Sequence, residues 1–232
     1  MLNPIKRFRS PLWLFALSAS LLAVNSAQAD VRYYMLIFGA QTHPKIPRFT
    51  HTFCTIVKVA DPQPGCGALS IEAYTISWLP QTLNIRPYRI RPEPGRNLTL
   101  DETLRWTAQH HMGVSEWGPY VIEEDYFWRV YNEYARFERG EYLYRAVDPP
   151  RRGDVTADCI HAVTDIDSRD SRARYLVLGS GDAVTRKFVR ILYSRGRLME
   201  PPEDVSWLNA ALGLDCYPVR HRPTPRRMAL RP

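Results

Sequence analysis

The sequence predicts an α+β domain, an antiparallel sheet packed against helices with a helical extension toward the C-terminus. Two observations carry this. The first half holds four runs rich in aromatic and β-branched residues, bounded by turn residues, whereas later segments place apolar residues at helical spacing. The composition agrees: 45% hydrophobic and 24% charged residues over 232 positions describe a globular chain and exclude a disordered or fibrous one.

The chain opens on a predicted export signal, Met1 to Ala29. Lys6, Arg7 and Arg9 form its basic region, mostly apolar residues run from Leu12 to Val24, and Ala27-Gln28-Ala29 ends it in small residues. The apolar run is shorter than the about 20 residues of a membrane span. A mature chain beginning at Asp30, periplasmic or extracellular in a bacterium, is therefore expected, with an uncleaved membrane anchor as the lesser alternative. Removing three basic residues takes the net charge from +7 to +4, which argues against a nucleic-acid partner.

The four predicted strands are Val31 to Phe38, His51 to Val59, Leu69 to Trp78 and Leu83 to Ile90. Asp61-Pro62-Gln63-Pro64-Gly65 is turn chemistry that makes the second and third a hairpin. Thr99 with Glu102 forms a capping box, and Leu100, Leu104 and Ala108 continue it as a helix. Trp117-Gly118-Pro119-Tyr120 reads as a rigid turn plugging the sheet; a variant in which Trp117, Tyr120 and Trp128 line a carbohydrate groove is the alternative. A helix over 123–139 carries Tyr126, Val130 and Tyr134 on one stripe and stops at Gly140.

Beyond it, 141–147 reads as a short strand, and Asp154, Thr156 or Asp158 caps a short helix containing Cys159. A strand over Tyr175 to Leu178, a helix from Asp182 to Gly196 and a last helix over 203–212 complete the domain. The expected division is a signal over 1–29, a single domain over 30–218 and a basic extended tail over 219–232. The tail's secondary role is weak contact with an anionic surface.

Chemistry is sought first in short motifs. Gly179-Ser180-Gly181 lacks the flanking glycines of a nucleophile elbow or a dinucleotide loop and reads as a turn. His110-His111 lacks zinc-ligand spacing, and no cofactor or metal is expected. Four cysteines, Cys54, Cys66, Cys159 and Cys216, allow two disulfides in an exported chain, with Cys216 the plausible mate of Cys159. Alternatively, Cys159 at a helix start is a nucleophile, since backbone amides there favour a thiolate. His161, two residues on, points elsewhere on a helix, so the base must be distant. His51, at a strand start, is the candidate. A hairpin turn centred on Pro62 and Gln63 sets Tyr74 opposite it and Glu72 on the neighbouring diagonal, while a one-residue slip presents Thr75.

The order of His51 in Thr50-His51-Thr52-Phe53, a polar residue on the next strand, and Cys159 in Thr156-Ala157-Asp158-Cys159-Ile160-His161-Ala162-Val163 resembles the circularly permuted papain-like proteins. These include permuted NlpC-like peptidases and lecithin:retinol acyltransferase-like proteins. Asp158 stands where that family usually has Asn, and Ala162 where it has Phe. The resemblance covers about half of the chain and implies a permuted papain-like core whose sheet packs on the nucleophile helix. It also implies attack by the Cys159 thiolate on an amide or ester carbonyl, with His51 as base and then acid; from the hairpin register, Glu72, or Thr75 after a slip, orients the imidazole. The implied substrate is an envelope peptide or an acylated molecule. The competing expectation is a non-catalytic, disulfide-stapled secreted binding protein with an Arg-rich surface.

Overall fold

A computed structural model describes residues 30–62, 68–147, 155–166 and 181–225. The predicted export signal, Cys66, the strand expected at Tyr175 to Leu178, Gly179-Ser180 and the last seven residues lie outside these ranges. In chain order the described elements begin with β1 (Val31–Gln41), β2 (Thr50–Ala60), β3 (Ser70–Ile76), β4 (Trp78–Pro80) and β5 (Glu93–Asn97). Next come α1 (Leu100–Gln109), β6 (Gly113–Val121), α2 (Glu124–Glu138), β7 (Leu143–Tyr144), β8 (Thr156–Ala157) and α3 (Cys159–Thr164). The last are α4 (Asp182–Ser194), α5 (Trp207–Ala211) and β9 (Val219–Arg222). The chain is thus mixed α+β, with mostly antiparallel sheets packed against five helices.

The main sheet has the order β3-β2-β1-β6-β9, antiparallel except for the parallel β6–β9 pair. A smaller sheet, β4-β5-β7-β8, adjoins it. Both faces of the main sheet are covered. On one, Ile37, Cys54 and Ile56 pack against Phe127 and Val130 of α2, Val163 of α3 and Phe188 of α4. On the other, Phe38, Phe53 and Val57 pack against Leu104 and Trp106 of α1 and Leu208 of α5. This double burial explains why β1 and β2 read as nearly unbroken apolar runs: neither face of these central strands meets water.

The helices form largely where their signals stand. The Thr99–Glu102 capping box closes both ways at α1, and α2 and α4 are followed by Gly140 and Gly196 in left-handed conformations, at φ 68° and 69°. Asp158 is the cap of α3, accepting from the Ile160 and His161 amides. The expected last helix is shorter, at Trp207–Ala211.

Four expectations are corrected. Residues 83–90 form a loop, not a strand, and Leu83 has a left-handed backbone at φ 57°. Trp117-Gly118-Pro119-Tyr120 belongs to β6, a central strand. Trp117 and Tyr120 are only 3% and 1% exposed, so they cannot line a carbohydrate groove. Val219–Arg222, assigned to an extended tail, is a strand of the main sheet. The β2–β3 hairpin pairs Ala60 with Ser70 and Cys54 with Ile76, a register five residues further along β3 than a tight turn at Pro62-Gln63 implies.

Candidate active site

His51 is the second residue of β2 and pairs with Ala40 of β1. Strand alternation turns its side chain to the α1 face, where it lies against Phe53 and meets Trp106 edge-on, with ring centroids 5.3 and 5.7 Å away. The imidazole is fully buried. Its Nε2 lies 2.9 Å from Ser77 Oγ, and its Nδ1 has no hydrogen-bond partner among the described residues.

Ser77 sits in the break between β3 and β4. Asn97 of β5 holds that break, its side-chain oxygen accepting from the Ser77 amide at 2.7 Å and its amide group donating to the Thr75 carbonyl at 2.8 Å. Ser77 Oγ is also 2.8 Å from Thr103 Oγ1, which in turn is 2.7 Å from the Thr99 carbonyl. Thr103 Oγ1 donates to Ser77 Oγ and also points its hydroxyl at the Thr99 carbonyl, and the His51–Ser77 contact is served either by a proton on Nε2 or by the Ser77 hydroxyl.

Cys159 is the first residue of α3, directly after its cap. The β2–β3 ladder ends at the Cys54–Ile76 pair, and α3 packs against β2. The backbone amides of Thr52, Cys159 and Ile160 face the Cys159 sulfur and favour its thiolate. His51 and Cys159 line one cavity of about 200 Å³, together with Tyr144, Asp158, Ile160 and Pro87. A space of that size holds one small chemical group and not a whole drug-sized molecule.

Burial dominates the electrostatics. It pushes the Cys159 thiol up to about 12; the Asp158 carboxylate raises it further, against the three amides that favour a thiolate. Burial also pushes His51 down to about 3. At neutral pH the resting pair is therefore an uncharged thiol and an uncharged imidazole.

Glu72 does not reach this site. It pairs with Lys58, seven residues along β2 from His51, and its carboxylate accepts from Lys58 at 3.1 Å and from the Tyr74 hydroxyl at 2.8 Å. Thr75 is opposite Thr55 and hydrogen-bonds it. The residue at His51 Nε2 is Ser77, and the reason is register. Continued past the end of β3, the observed pairing sets Leu79 opposite His51 and Ser77 on the neighbouring diagonal. The partner of His51 is thus its diagonal neighbour in a hairpin whose loop is longer than a tight turn.

His161 turns away as expected, with Nδ1 3.1 Å from Asp158 Oδ1. Cys54, Cys159 and Cys216 are all free thiols, Cys54 and Cys159 buried and Cys216 exposed, so the Cys159–Cys216 bridge is not formed. Among the described residues no group of three or more His, Cys, Asp or Glu side chains is placed to hold a metal ion. No helix among them is long and apolar enough to cross a membrane. In comparison with known proteins, the chain matches no family model, no curated protein and no solved structure.

Proposed function

We propose that the protein is an exported cysteine hydrolase or acyltransferase of permuted papain-like type, acting on an amide or ester bond of an envelope peptide or acylated molecule. One observation supports this above the others: Cys159 and His51, 108 residues apart in sequence, share a cavity in which His51 offers an unpartnered Nδ1. As the substrate carbonyl enters, His51 Nδ1 takes the thiol proton while the sulfur forms its bond to the carbonyl carbon. The carbonyl π electrons move to oxygen, and the amides that face the sulfur are the donors nearest this developing charge. The tetrahedral carbon then expels the amine or alcohol, which takes the proton from His51, and water or an acceptor alcohol or amine cleaves the thioester. Because both groups start uncharged, proton transfer accompanies attack rather than preceding it.

The test is Cys159→Ala against a panel of peptide amides and acyl esters, with mass spectrometry of the wild-type protein for a covalent acyl adduct. The expected result is an adduct on Cys159, and turnover lost in a variant that still melts cooperatively. Turnover retained by Cys159→Ala overturns the reading. A second reading, a non-catalytic exported binding protein, is favoured by the depth at which thiol and imidazole are held neutral. It predicts no adduct with any substrate of the panel.

A further inference from the structure

The cavity is bordered by two loops that combine positive charge with exposed apolar side chains. The first, residues 43–48 between β1 and β2, carries Lys45, Ile46 and Arg48, all exposed, and supplies Pro47 to the cavity wall. The second, residues 86–91 between β4 and β5, reads Arg-Pro-Tyr-Arg-Ile-Arg and supplies Pro87. Within it Tyr88 is 94% and Ile90 84% exposed, and Arg86 and Arg91 are exposed beside them. The loop is held in this form by hydrogen bonds within itself. The Arg89 amide donates to the Arg86 carbonyl at 3.0 Å, and Arg89 Nε donates to the Arg91 carbonyl at 3.1 Å. Arg89 also reaches Glu93 at 3.6 Å. The two loops together hold five basic residues and no acidic one beside Ile46, Tyr88 and Ile90, with Arg89 paired to Glu93. Val147, 64% exposed, adds a further apolar side chain at the same cavity.

We infer that these two loops dock the mouth of the cavity onto an anionic lipid surface. A large apolar side chain held almost wholly in water at a loop tip gains nothing from the fold, and grouped exposure of this kind marks an interaction surface. An anionic bilayer answers both chemistries at once: tyrosine and isoleucine enter the boundary between headgroups and acyl chains, and the arginines meet the lipid charge. A soluble polyanion would use the cations and leave Tyr88 and Ile90 in water. Docked this way, the cavity opens toward the bilayer. This inference goes beyond the hydrolase reading and does not depend on Cys159 chemistry.

The experiment is sedimentation with phosphatidylcholine vesicles, with and without phosphatidylglycerol, using the chain from Asp30 onward. That chain holds every described element and lacks the apolar Leu12 to Val24 run, which would bind vesicles by itself. Binding is expected to the phosphatidylglycerol vesicles only and to weaken with salt. Arg86→Gln with Arg91→Gln lowers partitioning about fivefold per charge removed. Tyr88→Ser with Ile90→Ser lowers it about tenfold or more. Cys159→Ala binds as the wild type does, which separates this surface from the catalytic reading. Equal binding to both vesicle types overturns the inference. So does loss on removing the arginines with no loss on removing Tyr88 and Ile90, the result that marks a soluble-polyanion site.

Discussion

His51 Nε2 and Ser77 Oγ lie 2.9 Å apart, fully buried and joined through Thr103 to a helix carbonyl. The relay fixes the imidazole plane, and on the catalytic reading it holds Nδ1 toward the cavity that His51 shares with Cys159. Thr103→Val keeps the shape of the residue and removes the hydroxyl, so Ser77 loses the donor that holds its oxygen in place and the His51–Ser77 contact is no longer fixed. The expected outcome is a kcat lowered by about tenfold to a hundredfold, a large part of what general base catalysis supplies, with KM little changed. Thr103→Ser, which keeps the hydroxyl, restores it. Steady-state kinetics of the two variants checks this, and equal effects of Val and Ser would show a packing role only.

The thiol itself gives a second prediction. With its pKa pushed up to about 12, Cys159 is almost entirely protonated at neutral pH. Alkylation of Cys159 in the native protein is expected to accelerate about tenfold per pH unit from pH 7 to pH 10, because the thiolate is the reacting species. Rate measurements with peptide mapping separate Cys159 from the exposed Cys216. A fast, pH-independent rate at mildly acidic pH would instead reveal a preformed thiolate–imidazolium pair.

Glu72 serves the sheet and not the cavity. Its carboxylate accepts from the Tyr74 hydroxyl and from Lys58, which hold its pKa below the ordinary carboxylate value. Because the Lys58–Glu72 pair is partly exposed, Glu72→Gln is expected to change stability by less than about 1 kcal/mol. Turnover should be unchanged, which a single kinetic comparison with wild type decides.

A buried carboxylate makes stability depend on pH. Glu116 of β6 is fully buried, contacts His221 of β9 through one oxygen, and leaves Oε1 without a partner among the described residues. Burial raises its pKa to about 7, and the His221 contact opposes that rise. The native state therefore binds a proton that the unfolded chain has released between about pH 4.5 and pH 7. This contribution is complete below the unfolded value and is lost as pH rises through 7. Its size is on the order of 3 kcal/mol, the raised interval multiplied by 1.36 kcal/mol per unit. Urea denaturation at pH 5 and pH 8 should show that loss in the wild type, whereas Glu116→Gln should flatten it. The same variant reports on attachment of β9, since Glu116 and His221 are paired across the β6–β9 ladder.

What the sequence determined by itself is what short-range chemistry controls. The Thr99–Glu102 box, the Asp158 cap, the glycines after α2 and α4 and the apolar stripe of α2 act within a few residues, so their effects appear where they are written. A polar cap before Cys159 puts it at a helix start, and the aromatic and β-branched run over 51–59 puts His51 near a strand start, each without reference to the rest of the chain. The tertiary structure decided whatever depends on register and on which faces are covered. A loop between β2 and β3 five residues longer than a tight turn moves Glu72 to the far end of the strand and puts Ser77 on the diagonal of His51. Burial from both sides of the sheet makes 113–121 a central strand despite its Gly-Pro pair, recruits 219–222 to the sheet edge, and holds the His51 and Cys159 side chains uncharged. Propensity is local, whereas pairing partners and desolvation are set by residues distant in the chain.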